Sequence, residues 1–291
     1  MRIIQLGSVG TEVANWQRFL VTRKLYTGAV DGEFGRLTRA ATEDFQQEAL
    51  LVVDGIVGNL TAAAAVQFGF QLLTPKPTAE TSRSVETIVK MEIDVDGAPN
   101  AYGPPGRPTL DFELNAHVGA RSTGAIVGYI VIADPHNPQH GIPAVQGPND
   151  PCPGYFISTT AFQDLKNKNK LDPRKYVDAS KINYVVRGTL AEENGVHLGD
   201  LIAVHSLRNN KSVFGIVGDS GNSSGAEGSL ALLQALGYPF TSGKTGSVDH
   251  AEIVIRYFPG SNPDQHFFQD QAQIDSEANT LGLSKDFSAH H

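Results

Sequence analysis

One nine-residue tract occurs twice near the start of the chain: Val30 to Thr38 reads V-D-G-E-F-G-R-L-T, and Val53 to Thr61 reads V-D-G-I-V-G-N-L-T. Such a repeat restricts the first seventy residues to two copies of one supersecondary unit sharing a core. In each copy the Asp carboxylate is suited to accept backbone N–H bonds in a tight turn. The two glycines tolerate positive φ, and the Thr is placed to cap the helix that follows. Ala40 to Gln47 between the copies reads as helix. Upstream, Val13, Trp16 and Leu20 fall about one helical turn apart, as a buried stripe does, with Gln17 beside Trp16. A small structural bundle with no ligand is the bland alternative for this pattern, and a two-copy D-G-x-x-G-x-x-T spacing rarely arises by chance.

At 291 residues the chain is long enough for two domains, and 40% apolar with 19% charged residues is an ordinary globular composition. Cys152 is the only cysteine, which excludes an intrachain disulfide and any C-x-x-C metal or redox site. The longest apolar run, Ala125 to Ala133, is broken by Gly128 and too short to span a bilayer, and Met1 to Gly10 has no apolar export signal. The expectation is a chain made in the cytoplasm without a membrane span. The formal charge of −8 is uneven, because residues 259–291 hold one basic and five acidic side chains while residues 75–258 hold sixteen and nineteen. That acidity argues against nucleic acid as a partner.

Leu73 to Ser84, L-T-P-K-P-T-A-E-T-S-R-S, breaks all periodicity and reads as a linker. The expected domains are 1–72, a second domain over 85–260 and a loosely attached polar, acidic tail over 261–291. Beyond the linker, β-branched runs recur at Thr87 to Ile93, Ala125 to Ile132, Tyr155 to Ser158, Ile182 to Val186, Leu201 to His205, Val213 to Val217 and Ile253 to Phe258. Helix is predicted only near Thr160 to Lys166 and Glu227 to Leu236, the latter stopped by Gly237, with modest potential at Asp270 to Leu281. The fold class is therefore α+β: the helical bundle plus a mostly β, barrel-like domain.

The chemistry-bearing stretch runs from Asp200 to Gly237 and places Asp219 after the apolar run Val213 to Val217, at an expected barrel mouth. Glu227 follows a loop rich in Gly, Ser and Asn and is expected to open a helix. Two carboxyl groups on either side of a polar loop are what glycosidic hydrolysis needs: one protonates the leaving oxygen, and the other activates water or attacks the anomeric carbon. A plain turn Asp and a helix-start Glu are the competing reading.

Two resemblances sharpen this. Leu6 to Phe68 resembles the peptidoglycan-binding domain of the three-helix kind, which implies Trp16, Gln17, Asp31 and Asp54 as polymer-binding residues. Val85 to Phe258 resembles the chitosanases of glycoside hydrolase family 75, through G-D at Asp219, the A-E-G-S start at Glu227, the acidic segment Glu92 to Gly97, Y-F-I-S-T-T-A-F from Tyr155 and Y-V-D-A-S-K-I-N-Y-V-V from Tyr176. Ala226 stands where that family has Gly, and Val95 where fungal members often have Cys. The likeness implies a closed or nearly closed barrel and an inverting mechanism, with Asp219 as general base and Glu227 as general acid. A carboxylate in the first turn of a helix is held ionised by the helix dipole, which opposes the acid role, so the roles are open to exchange.

Asp94 and Asp96 are expected to line the sugar cleft with Tyr129, Ser220 and Asn222; Tyr102 and Tyr238 are further stacking candidates, although an isolated aromatic in a β domain is more often core. No metal or cofactor is expected, because Glu92 to Gly97 lacks the later bidentate Glu of a calcium loop, and His136 and His140 are flanked by prolines that oppose the helix an H-x-x-x-H site needs. Gly218 to Gly221, G-D-S-G, also matches the nucleophile turn of trypsin-like proteases, but no upstream histidine motif or disulfide framework accompanies it. His117 and His205 read as core or surface histidines. The expected function is cleavage of the β-1,4 amino-sugar backbone of peptidoglycan by a muramidase-like lysin or antibacterial effector. Chitosan as substrate and a non-catalytic wall-binding protein are the alternatives. Any immunity or delivery partner is unspecified by the sequence.

Overall fold

The computed structural model describes residues 3–70, 84–137 and 139–288. The chain separates into units Met1–Lys76 and Pro77–His291; the expected linker and the final two histidines fall outside the described residues, Ser84 excepted. In the first unit, α1 (Thr11–Thr22), α2 (Arg36–Glu48) and α3 (Asn59–Gln67) surround one apolar centre. Val13, Trp16 and Leu20 are buried there as their spacing predicts. The Trp16 indole lies edge-on to Phe45 and Phe70, with centroids 5.6 and 5.2 Å away, and its Nε1 donates to Thr42 Oγ1 at 2.9 Å.

The repeat encodes two polar plugs built around glutamine. Gln17 is fully buried; its Nε2 donates to Asp31 Oδ1 at 2.8 Å and lies 3.0 Å from the Glu33 carbonyl, while its Oε1 accepts from Gly32 N at 2.9 Å. Gln46 repeats this on Asp54 Oδ1 at 2.8 Å, the Ile56 carbonyl at 2.9 Å and Gly55 N at 2.9 Å. Each Asp also accepts the N–H two residues ahead, which closes the turn. Only the first glycine of each tract takes positive φ, 75° at Gly32 and 69° at Gly55. The second, Gly35 or Gly58, sits at the helix N-cap in extended backbone, and Thr38 and Thr61 lie inside the helices, bonding Gln17 and Gln46 rather than capping. Trp16 and Gln17 have no exposed surface, so neither meets a polymer directly; both build the module. Asp31 and Asp54 are exposed but commit an oxygen to the turn.

The second unit is a closed barrel. Strands β1 (Val85–Asp94), β4 (Tyr184–Arg187), β5 (Leu201–Ser206), β6 (Lys211–Ser220), β7 (Glu227–Ser229) and β8 (Val248–Tyr257) close in the order β1-β7-β4-β6-β5-β8, and β2 (Val131–Ala133) pairs separately with β3 (Gly141–Pro143). The β1–β7 and β4–β6 pairs are parallel and the other barrel pairs antiparallel. Strand β5 is buried on both faces: Leu201 and Ala203 join one apolar cluster, Ile202 and Val204 the other. That explains its unbroken apolar run.

Short helices α4 (Thr189–Glu193) and α5 (Leu230–Ala235) follow β4 and β7. Glu227 is therefore a strand residue, and Ser229 caps α5 by accepting from Leu232 N at 3.1 Å. Gly237, at φ 91°, ends α5 with the expected stop: Tyr238 N reaches the Leu233 carbonyl and Gly237 N that of Gln234. Three expectations fail. Ala125 to Ile130 and Tyr155 to Ser158 form loop with isolated bridges. Thr160 to Lys166 is not helical, because Thr160 Oγ1 and Asp164 Oδ1 bond the nearby backbone instead. The 261–288 stretch is no loose tail: α6 (Gln271–Thr280) buries Ile274 and Ala278, and Phe268 and Phe287 join the same cluster.

Candidate active site

Strand register assembles the carboxylates. Val186 pairs with Asp219 on β6, and the antiparallel pairing of Val185 with Gly228 places Glu227 on the other side of Val186. Side chains in register share a sheet face, so Asp219 and Glu227 project from one face with a single strand between them. Glu227 also lies opposite Glu92 on β1, and Asp94 follows two residues later on that side. Earlier members of that row, Glu86, Ile88 and Lys90, are exposed, so the carboxylates stand on the outward face rather than in the barrel mouth.

Each acid is held by identified groups. Asp219 is 8% exposed; its Oδ1 accepts from Ser220 N at 2.7 Å and Ala161 N at 3.0 Å. Glu227 Oε1 accepts from Asn222 Nδ2 at 2.7 Å, and Asn222 Oδ1 is itself fixed by Ser224 N and Oγ. Asp94 Oδ1 accepts from Asp96 N, and Asp96 Oδ1 accepts from the Tyr102 hydroxyl at 2.7 Å. The fully buried Tyr184 donates to the Asp96 carbonyl at 3.0 Å. The turn after β1 needs Gly97: φ is 76°, and a Cβ there would lie 1.9 Å from the Val177 carbonyl oxygen.

Asp94, Asp96, Asp219 and Glu227 form no ion pair with Lys or Arg among the described residues. Burial therefore dominates their titration. It pushes Asp219 up to about 7 against the two backbone donors, with the Glu227 charge adding to the rise. Asp94 is raised well above the carboxylate range by burial and then by Asp219, and Asp96 by burial and then by Asp94. Glu227 is raised by burial and opposed by Asn222, with Glu92 adding to the rise. A carboxyl group raised in this way keeps its proton to higher pH than an exposed one, which is the property acid–base chemistry uses.

Two measurable consequences follow. Between about pH 4 and the folded value of about 7, folded Asp219 holds a proton that the unfolded chain has released, so stability falls as pH rises through that window. Calorimetry should show the C-terminal unit melting at lower temperature at pH 7.5 than at pH 5, with a shallower slope in Asp219→Asn; an unchanged slope would contradict this. Asn222→Ala frees Glu227 to swing and removes the bond that favours its ionised form, so the Glu227 carboxyl should titrate at higher pH, measured by carboxyl NMR; an unchanged titration would contradict this.

Of the residues expected at the cleft, Asp94, Asp96, Asp219 and Glu227 come together. Ser220 is exposed beside them, and Asn222 serves as the clamp on Glu227. Tyr129 does not join: it is 4% exposed, packed against Tyr102 and Phe156, with its hydroxyl on Glu113. Tyr102 and Tyr238 are likewise buried rather than presented as platforms. Tyr184 and Glu92 were quoted only within the resembling segments and were not anticipated as site residues. Only the alternation of Tyr184 with Val186 along one strand hinted at the first of them.

Residues 9–65 match the family described as a putative peptidoglycan binding domain. The chain thus carries an N-terminal domain of that family, and no helix among the described residues is long and apolar enough to cross a membrane. The spore cortex-lytic enzyme of Oceanobacillus iheyensis is 38% identical over 66 residues, 23% of this chain and 24% of that protein. The chain therefore spans about a quarter of that curated relative. Among solved structures, the SleB N-terminal domain is 39% identical and aligns with 23% of this chain and 92% of its own, with a TM-score of 0.23. A fused Zn-dependent amidase/peptidase/peptidoglycan-binding domain-containing protein from Clostridium acetobutylicum is 27% identical over 28% of this chain and 39% of its own, with a TM-score of 0.21.

Proposed function

We propose that the C-terminal unit is a glycoside hydrolase that cuts the β-1,4 amino-sugar backbone of peptidoglycan and that the N-terminal domain holds it on that polymer. The reading rests on Asp219 and Glu227 flanking Val186 on one sheet face. Two strand spacings separate their backbones by about 9.6 Å. Side chains leaning together from backbones so spaced can reach the roughly 6.5–9.5 Å between carboxyl groups that leaves room for a water in an inverting displacement. A closed barrel is also what the resemblance to family 75 implied.

The helix-dipole objection disappears, because Glu227 precedes α5 on a strand. The proton balance nevertheless favours exchanging the roles implied by the resemblance. Asp219, pushed up to about 7, keeps its proton and serves as general acid; Glu227, steadied as an acceptor by Asn222, serves as the base that activates water. Tethering by the first domain raises the local concentration of glycan, and the relative described as a spore cortex-lytic enzyme agrees with a wall substrate.

A second reading has its own observation. Four carboxyl groups without a paired cation would ionise more readily beside a cationic polymer, which favours chitosan. Mass spectrometry of products from purified peptidoglycan and from chitosan, side by side, decides between them. Muropeptide fragments with new reducing ends support the first reading, glucosamine oligomers alone support the second, and intact polymer in both incubations defeats both.

A further inference from the structure

The barrel carries a recess that shares no residue with the carboxylate group. Its volume is about 490 Å³, and its wall includes Arg208, Asn209, Tyr238, Phe240, Asp249 and Glu252. That size lies within the range of small-molecule sites. Two local features build it. On β1 only Lys90 separates Val89 from Met91, whereas on β8 four residues, Asp249 to Glu252, separate their partners Ile253 and Val248. This wide bulge takes Asp249, His250 and Glu252 out of the ladder and turns them toward the recess. Opposite, the stop after α5 releases Tyr238, Pro239 and Phe240 as a loop, with the Tyr238 and Phe240 rings stacked at 9° and 5.9 Å.

The lining has the chemistry of a sugar-binding site. Phe240 supplies a half-buried apolar ring fixed against Tyr238. Tyr238 is held by Ser206 Oγ and by Glu252 Oε1, each at 2.8 Å. Asp249 Oδ1 accepts from Ser247, and Asn209 Nδ2 donates to the Leu236 carbonyl. The remaining oxygens of Asp249 and Glu252 have no hydrogen bond among the described residues, nor do the side chains of Arg208 and His250. The wall thus offers both donors and acceptors beside an aromatic ring, with Arg208 set against Asp249 and Glu252. A hydroxyl both donates and accepts, so an uncharged polyhydroxylated ring satisfies this rim where a simple anion or cation satisfies half of it.

We infer that this recess is an accessory saccharide-binding site for one or two pyranose units of a polymer. Its identification with the glycan being cut rests on the function proposed above; the binding itself does not.

The test titrates the full chain carrying Glu227→Gln, so that ligand is not consumed, with a β-1,4-linked N-acetylglucosamine tetramer by calorimetry. Adding Phe240→Ala should weaken one binding event about tenfold, and Phe240→Trp should retain it. Arg208→Ala, at an exposed position, should weaken it about fivefold and decides the matter if Phe240→Ala disturbs folding. In the chain with Glu227 intact, Phe240→Ala and Arg208→Ala should leave turnover of a short soluble substrate unchanged and slow release from insoluble polymer. Titrations of the Phe240 and Arg208 variants that superimpose on the parent, or a parent that takes up no tetramer, overturn the inference. Binding that depends on Phe240, together with no hydrolysis by the chain with Glu227 intact, defeats the hydrolase reading and leaves the accessory site standing.

Discussion

Glu227→Gln and Asp219→Asn are each expected to lower reducing-end release from glycan by about 10²–10⁴-fold, the range assigned to a positioned general acid or base. Both substitutions keep side-chain volume, and each removes a member of a cluster whose crowding by like charge already works against it. The fold should survive, as an unchanged or raised melting temperature of the C-terminal unit would show. The two variants should differ with the leaving group. A glycoside whose aglycone departs as a stable anion needs no proton, so the variant lacking the acid recovers most of its turnover on that substrate, whereas the variant lacking the base does not. Recovery by Asp219→Asn supports the exchanged roles, and recovery by Glu227→Gln restores those implied by the resemblance. Turnover equal to the parent in both variants, on both substrates, removes the carboxylate pair from the mechanism.

The loss should be larger for the pair than for any neighbour, because register and not proximity in sequence makes the site. Asp219 and Glu227 were visible as two acids bracketing a polar loop, but that β4 runs between them is a long-range pairing. No local pattern contains it. The tripeptide Glu227–Ser229 read as the first turn of a helix because α5 follows at once, and a strand this short has no periodicity of its own. Tyr184 shows the same limit, since its partner Asp96 is 88 residues away. Where strands are buried on both faces, as in β5, the apolar run was sufficient. Where apolar residues pack into loops, as at Ala125 to Ile130, the same composition misled. The C-terminal stretch looked detached because its anchors, Phe268, Ile274, Ala278 and Phe287, are sparse among polar residues.

In the first unit the repeat carried nearly all of the fold, and the largest expected loss of stability lies there. Gln17→Leu is close to isosteric but takes away the amide that holds Asp31 Oδ1, the Glu33 carbonyl and Gly32 N. Each buried group left without a partner costs about 1–3 kcal/mol, and the Gly32 amide, buried and held at φ 75°, has no replacement acceptor in the turn. Gln46→Leu repeats the experiment on Asp54, Ile56 and Gly55. A domain of this size buries a smaller share of its surface than a larger one and has a correspondingly thin margin, so either substitution should lower its stability by about 3–5 kcal/mol, and the two together should unfold it. Calorimetry of the full chain should then lose one transition while keeping that of the C-terminal unit, and sedimentation with insoluble wall should lose the bound fraction. Asp31→Asn and Asp54→Asn keep an oxygen for the turn and should cost far less than either glutamine substitution. A double glutamine variant that melts like the parent would show that the plugs are incidental to the module, and one that stays folded yet releases the wall would make Gln17 and Gln46 binding groups after all.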